Sequence, residues 1–279
     1  MFTNILRADI YRLARSQFVR VTAVAFLVVI GLYCVFNFAD HSETSFAFGG
    51  VVGTAADGTP LIDGFVGFSY LDPDNPRFWE LVYSATCFTA ATLFAIPITG
   101  MMITSADDQN GITKIAVAQG QSQSLLYLSK VVLSVLVTGT LWALHNVITL
   151  LLTLSRENAS FNGDELRRWA LTCLLIFLPL VVLMLLVSLV TLVTGSRVTG
   201  LVVMVLLIFT APFLATLAQS RPSTLLDVVL GVNPVWHANR VTRYWSQTQI
   251  LGHTWLMFVV GSVLLLGASI AWLRRRELS

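Results

Sequence analysis

Charge is scarce in this chain. Only 11% of its 279 residues are Asp, Glu, Lys or Arg, less than half the share of about 25% found in soluble domains. Apolar residues make up 56%, and the mean hydropathy is +0.77, so an ordinary soluble domain is excluded and a polytopic membrane protein is predicted. A net charge of +2, with no basic block interleaved with aromatics, excludes a nucleic-acid binder. Cysteine is equally thin. Cys34, Cys87 and Cys173 each fall inside an apolar run, far from one another. They form neither a disulfide framework nor a metal motif, and read as small buried apolar residues.

Catalytic signatures are missing too. The sequence has no G-x-x-x-x-G-K-[ST] phosphate loop, no dinucleotide glycine fingerprint, no H-E-x-x-H and no G-x-S-x-G elbow. Its four histidines, His41, His145, His237 and His253, are scattered. No acid or lysine falls well inside a predicted span, unlike the carboxylate relays of proton-driven transporters. The chain is therefore not expected to be an enzyme, and any energy for transport must come from a partner. No small-residue cleavage site follows the N-terminal arginines, so the first apolar run reads as a retained span.

What remains is an all-α pattern. Residues 1–18 place Phe2, Leu6, Ile10 and Leu13 on one helical stripe with Arg7, Arg12 and Arg15 off it, which predicts an interfacial helix. Six apolar runs of near-spanning length follow, at about 19–39, 82–105, 125–154, 169–194, 198–219 and 251–273. The turn Thr194-Gly195-Ser196-Arg197-Val198-Thr199-Gly200 joins the fourth and fifth as a hairpin that its glycines permit. With both termini inside, ten Lys and Arg and four acids fall on the cytoplasmic side, leaving the external segments net negative. Arg156, Arg167 and Arg168 run against that bias, but the short segments otherwise obey the positive-inside rule.

Two external segments stand out. Residues 40–81 form a long acidic loop in which Asp57-Gly58, between Val51-Val52 and Leu61-Ile62, reads as a hairpin turn. Asp72-Pro73-Asp74-Asn75 resembles the start of a calcium loop, but Pro76 and Tyr83 stand where ligands are needed, so calcium is rejected. Residues 220–250 hold an apolar stretch too short to cross, Leu225 to Val232, a break at Asn233-Pro234, and then an aromatic-bearing helix pattern. A pair of short re-entrant helices in the outer leaflet accounts for them, since backbone in hydrocarbon must stay hydrogen-bonded.

Candidate functional residues fall in two groups. Between the second and third spans, residues 106–124 are a cytoplasmic interruption. Asp107, Asp108 and Asn110 read as a helix start, Ile112, Ile115 and Ala116 share one face, and Gly120 is a stop. Ser122 can cap the next helix. A short amphipathic helix there offers a docking surface for something soluble. Inside the membrane, Ala85, Thr89, Thr92, Thr99 and Gly100 share a face of the second span, and His145-Asn146 lie in the third. Thr89, Thr92, Thr99, His145 and Asn146 are the candidate translocation path, with close helix packing the competing reading. Pro97, Pro179 and Pro212 interrupt spans, either as hinges or as fixed kinks.

The stretch N-G-I-T-K-x5-G-x-S-x6-S-K, running from Asn110 to Lys130, resembles the cytoplasmic loop of permeases in the type-two ATP-binding-cassette exporter family, as does the layout of interfacial helix and six spans. The resemblance rests on Gly111, Thr113, Lys114, Gly120, Ser122 and Lys130; where family members usually carry an arginine after the serine, this chain has Gln123. It implies a plasma-membrane permease with a coupling helix at 107–118 that seats in a cytosolic ATPase. Asp107, Asp108, Asn110, Gly111, Thr113, Lys114, Ile115 and Gly120 would make that contact. It also implies two ATPase copies that bind ATP and magnesium, and pairing with a second permease, itself or a sister subunit. The cargo would be amphipathic or hydrophobic: a drug, an antimicrobial peptide or a lipid. A peptide-sensing or immunity scaffold without transport is the alternative, and an intramembrane lipid-modifying enzyme a third, for which the sequence offers no acid-base cluster.

Overall fold

One long, mostly apolar helix packs against five of the others. The computed structural model describes residues 2–15, 51–54, 60–62, 90–109, 111–154, 163–221, 223–243 and 254–278, with isolated positions at 17, 20–22, 24, 28, 78, 82 and 86. Most of the expected first span, most of the 40–81 loop with its Asp57-Gly58 turn and Asp72-Pro73-Asp74-Asn75, and Cys34, Ala85, Cys87, Thr89 and Asn110 lie outside the described residues.

The helices in chain order are α1 (Phe2–Arg15), α2 (Ala90–Gln109), α3 (Ile112–Ala118), α4 (Gln123–Leu154), α5 (Gly163–Thr194), α6 (Arg197–Ser220), α7 (Thr224–Val232), α8 (Pro234–Arg243) and α9 (Thr254–Leu278). Between α1 and α2, strand β1 (Val51–Thr54) pairs antiparallel with β2 (Pro60–Ile62), Val51 opposite Ile62 and Thr54 opposite Pro60. Apart from this small ribbon the described chain is helical.

Four of these helices are long and apolar enough to cross a membrane: α4, α5, the Arg197–Ala215 part of α6 and the Phe258–Arg275 part of α9. That makes the chain a membrane protein. Helix α2 contributes a shorter apolar run, Thr92–Ala106.

Helix α5 is the hub. It packs against α2, α9, α8, α6 and α4, and Ile176, Leu180, Leu183, Met184 and Val187 are fully or almost fully buried. A helix without a polar face finds its place among other helices. Its neighbours keep one face outward: Val205, Phe209 and Phe213 of α6 and Val259, Val263 and Leu264 of α9 are exposed, as suits surfaces that meet acyl chains.

Small residues set the closest approaches. A Cβ on Gly100 of α2 would lie 2.1 Å from Cγ of Met184, and one on Gly200 of α6 would lie 2.2 Å from Oγ1 of Thr191 and 3.3 Å from the Val187 carbonyl. Gly200 therefore serves helix packing and not the turn. The turn belongs to Gly195 and Ser196, whose hydroxyl accepts from the Thr199 N–H at 3.3 Å as an N-cap.

One expectation about these helices needs correction. Asp107 and Asp108 do not start a helix; α2 runs on through them to Gln109. Helix propagation is cooperative, so the chain stays helical through both acids to Gln109, and Gly111 then turns with a φ of +71°. Toward the bundle α1 presents Ile5 and Asp9, both buried, while Ile10 of the interfacial stripe is 46% exposed, as a residue that meets acyl chains would be. Pairing of Asp9 with α4, described next, holds the helix on that face.

Candidate functional site at the cationic end of the bundle

Glycines bracket the short helix α3. Gly111 enters it in the left-handed region, where its N-cap carries no side-chain bond. At the other end Gly120, with a φ of +84°, donates its N–H to the Val117 carbonyl at 2.8 Å, while the Gln121 N–H reaches the Ala116 carbonyl at 3.0 Å. These two crossed bonds are a Schellman motif, which ends a helix and satisfies its last carbonyls. No residue of α3 is buried, and Ile115 is 61% exposed. The helix is defined at both ends yet contributes nothing to the core.

Beside it lies α1, docked on the start of α4. Asp9 is 2% exposed. Its Oδ1 accepts from the Lys130 ammonium at 2.7 Å and from Arg12 Nη2 at 3.0 Å, and its Oδ2 accepts from the Ser129 hydroxyl at 2.8 Å. A buried carboxylate is tolerable only when so paired. A groove of about 460 Å³ separates α1 from α3, and Ile112, Ile115 and Ala116, the residues that helical spacing aligned, all line it with Ile5 and Arg12.

On the other side of α3 is a second pocket, also about 460 Å³, between α3 and the ends of α2, α4, α5 and α9. Lys114 and Lys130 reach it, with Thr113, Gln123, Ser188 and Leu273 among its walls. Ser105, another wall residue, accepts from Arg197 Nε at 2.8 Å. Arg274 and Arg275 follow Leu273 on the last turns of α9. The fold thus gathers to one end of the bundle cations that are far apart in sequence.

Of the sequence-derived docking residues, Gly111, Thr113, Lys114, Ile115 and Gly120 sit together on α3 and its caps. Asp107 and Asp108 close α2, and Asn110 lies outside the described residues. The candidate path residues go elsewhere. Thr92, Thr99, His145 and Asn146 are buried inside this chain's own packing, and none lines either pocket.

His145 and Asn146 belong to a polar stripe along α4 that sequence reasoning overlooked. Lys130, Ser134, Thr138, Trp142 and Asn146 recur every four residues, and all are buried. Ser134 and Thr138 donate to the carbonyls four residues back at 2.7 Å. Trp142 Nε1 donates to the Cys173 carbonyl at 2.9 Å, and the Cys173 thiol donates to Asn146 Oδ1 at 3.4 Å. The His145 ring stacks on Trp142, centroids 5.9 Å apart. Nearby, Trp169 Nε1 donates to the Thr86 hydroxyl at 2.8 Å. The strict period of four was the available signal; each residue alone looks like an isolated polar residue in a span. Cys173, half-buried where a buried apolar residue was expected, is a hydrogen-bonding member of this network.

No protein-family model, curated protein or solved structure matches the chain.

Proposed function

We propose that the chain is the permease subunit of an ATP-binding-cassette exporter in the plasma membrane, with both termini cytoplasmic. The observation that carries this reading is α3, a short helix with no buried residue, fixed by a left-handed glycine before it and another after it, at the cation-rich end of a membrane bundle. An exposed helix held this firmly, yet unused by its own core, is suited to a partner. The groove between α1 and α3 gives that partner a concave seat with an apolar floor and Arg12 at its rim. Positive residues favour the cytoplasmic side, so the partner would be cytosolic.

In this reading two ATPase subunits bind beneath a pair of permeases, take up ATP and magnesium, and press on α3 when they close. The chain itself performs no bond chemistry. It forms the path for an amphipathic or hydrophobic cargo and converts the push into a change among α2, α4 and α5. The test is co-purification with a cytosolic ATPase, followed by transport in proteoliposomes. Lys114→Glu and Ile115→Asp, both on exposed positions, should leave the fold intact and abolish ATP-driven cargo movement. Normal transport by both variants would sink the proposal.

A further inference from the structure

The pocket on the bundle side of α3 is separate from the groove against α1, although Thr113 lines both. Two cations reach it, Lys114 and Lys130, and no carboxylate lines it among the described residues. Asp9 stands behind Lys130 and balances it, so the excess charge is that of Lys114, an exposed residue with which no carboxylate among the described residues pairs. Hydroxyl donors accompany that charge. Ser188 is 2% exposed and shares a hydroxyl-hydroxyl contact of 3.2 Å with Thr104, whose own proton has the Gly100 carbonyl at 2.9 Å. Thr113 adds a second hydroxyl on α3 itself. Leu126, Leu192 and Leu273 also line the pocket.

An ammonium with converging hydroxyls suits a phosphate oxygen, and leucines beside it suit an acyl chain. Basic pockets between spans on the cytoplasmic side commonly hold lipid headgroups, and a volume near 460 Å³ lies within the range of small-ligand sites, about 300–1,000 Å³. We propose that this pocket binds the phosphate headgroup of an anionic phospholipid, wedged between α3 and the ends of α4, α5 and α9. The proposal rests on the permease reading only in taking this end to face the inner leaflet. Lipid so placed would couple the posture of α3 to the composition of that leaflet.

The test is a titration of the purified full-length protein in detergent, followed by native mass spectrometry. The probes are dioleoylphosphatidylglycerol, dioleoylphosphatidylcholine and inorganic phosphate. Phosphatidylglycerol should bind one per chain and about tenfold more tightly than phosphatidylcholine, the size of effect a charge-assisted hydrogen bond gives. The pair Thr113→Val with Lys114→Gln, on a helix with no buried residue, should lose that preference, and Lys114→Arg should keep it. Ser188→Ala should weaken phosphatidylglycerol without changing phosphatidylcholine. Equal affinity of the paired variant and the wild type for phosphatidylglycerol would overturn the site. Competition by inorganic phosphate at the lipid's own affinity would overturn the lipid and name a soluble phosphate as the ligand. The titration needs no ATPase and no membrane sidedness, so it can fail while the permease reading stands, and succeed where that reading fails.

Discussion

Asp9 is the most demanding residue in the fold. Its carboxylate is buried with a side-chain exposure of 1%, and Lys130, at 10%, approaches it to 2.7 Å, whereas Arg12, at 46%, approaches to 3.0 Å. The three partners should therefore differ sharply in weight. Asp9→Ala leaves a buried ammonium without its counter-charge, and Lys130→Met leaves a buried carboxylate with only Ser129 and a half-exposed arginine. Removing one partner of a buried pair costs about 3–5 kcal/mol. At about 2–4 °C per kcal/mol for a chain somewhat shorter than this one, each variant should lower Tm by roughly 6–20 °C. Arg12→Ala removes an exposed pair worth about 0–1 kcal/mol, a shift of no more than about 4 °C. The double variant Asp9→Leu with Lys130→Met should recover much of the loss, because neither side then leaves a lone charge. The assay is thermal unfolding in detergent, followed by intrinsic tryptophan fluorescence. The reasoning is refuted if Arg12→Ala and Asp9→Ala shift Tm alike, or if the double variant loses the sum of the singles.

Three further outcomes follow from particular contacts. At Gly111 a Cβ would meet nothing within 4 Å, so Gly111→Ala carries only the left-handed backbone cost, about 1–2 kcal/mol. Gly111→Asn should cost less, and the order of their melting temperatures checks this. At Gly200 the backbone is ordinary and the space is not: Gly200→Ala drives a methyl into Thr191 and the Val187 carbonyl, and overpacking of about 1–3 kcal/mol should appear as a lower Tm. His237 is held neutral. Burial chiefly lowers its pKa from the ordinary 6.5, the Gly231 carbonyl bond to Nε2 opposes that, and the charge of Arg240 adds to it. Its Nδ1 has no partner among the described residues. A depressed pKa makes its contribution complete above 6.5 and lost as pH falls through the lower folded value. Melting of the wild type should therefore drop between pH 8 and pH 5 more than that of His237→Gln, and equal drops would disprove the assignment.

Much of the helical frame was legible because apolar length and glycine punctuation act locally. Residues 125–154, 169–194 and 198–219 announce themselves by composition, although the helices that carry them start two, six and one residues earlier, and Asn233-Pro234 divides α7 from α8 where the sequence says a break must fall. In the structure Asn233 Oδ1 takes the Val235 N–H at 2.9 Å, which is why asparagine suits the break. The position of α3 was legible for the same reason, its stop at Gly120 included. Its start was misread: acids near a helix C-terminus oppose the helix dipole, so Asp107 and Asp108 looked like an N-terminus, yet continuation of α2 outweighed that small term. The buried Asp9 was invisible because its partners lie some 120 residues away in sequence. No local pattern distinguishes an aspartate that will face water from one that will meet Lys130. The pocket beside α3 is of the same kind, built from five helices whose residues only the packing brings together.

These long-range links decide how a force on α3 can reach the spans. Having no buried residue, α3 cannot transmit through packing of its own; it touches the bundle where it meets α2 and α4. At its start Gly111 is a bend with open space around it, and at its end the crossed bonds of the Schellman turn tie it to the approach to α4. Helix α1, on the other side of the groove, is fixed to that same first stretch of α4 by Asp9, Lys130 and Ser129. A partner seated in the groove would thus bear on α4 from both sides at once. From there the buried polar stripe runs along α4 to Trp142 and Asn146, which are hydrogen-bonded to Cys173 of α5. In the permease reading α3 would be the short arm, α4 the long one, and the carboxylate of Asp9 the fastening that lets the two helices at the groove act on one lever.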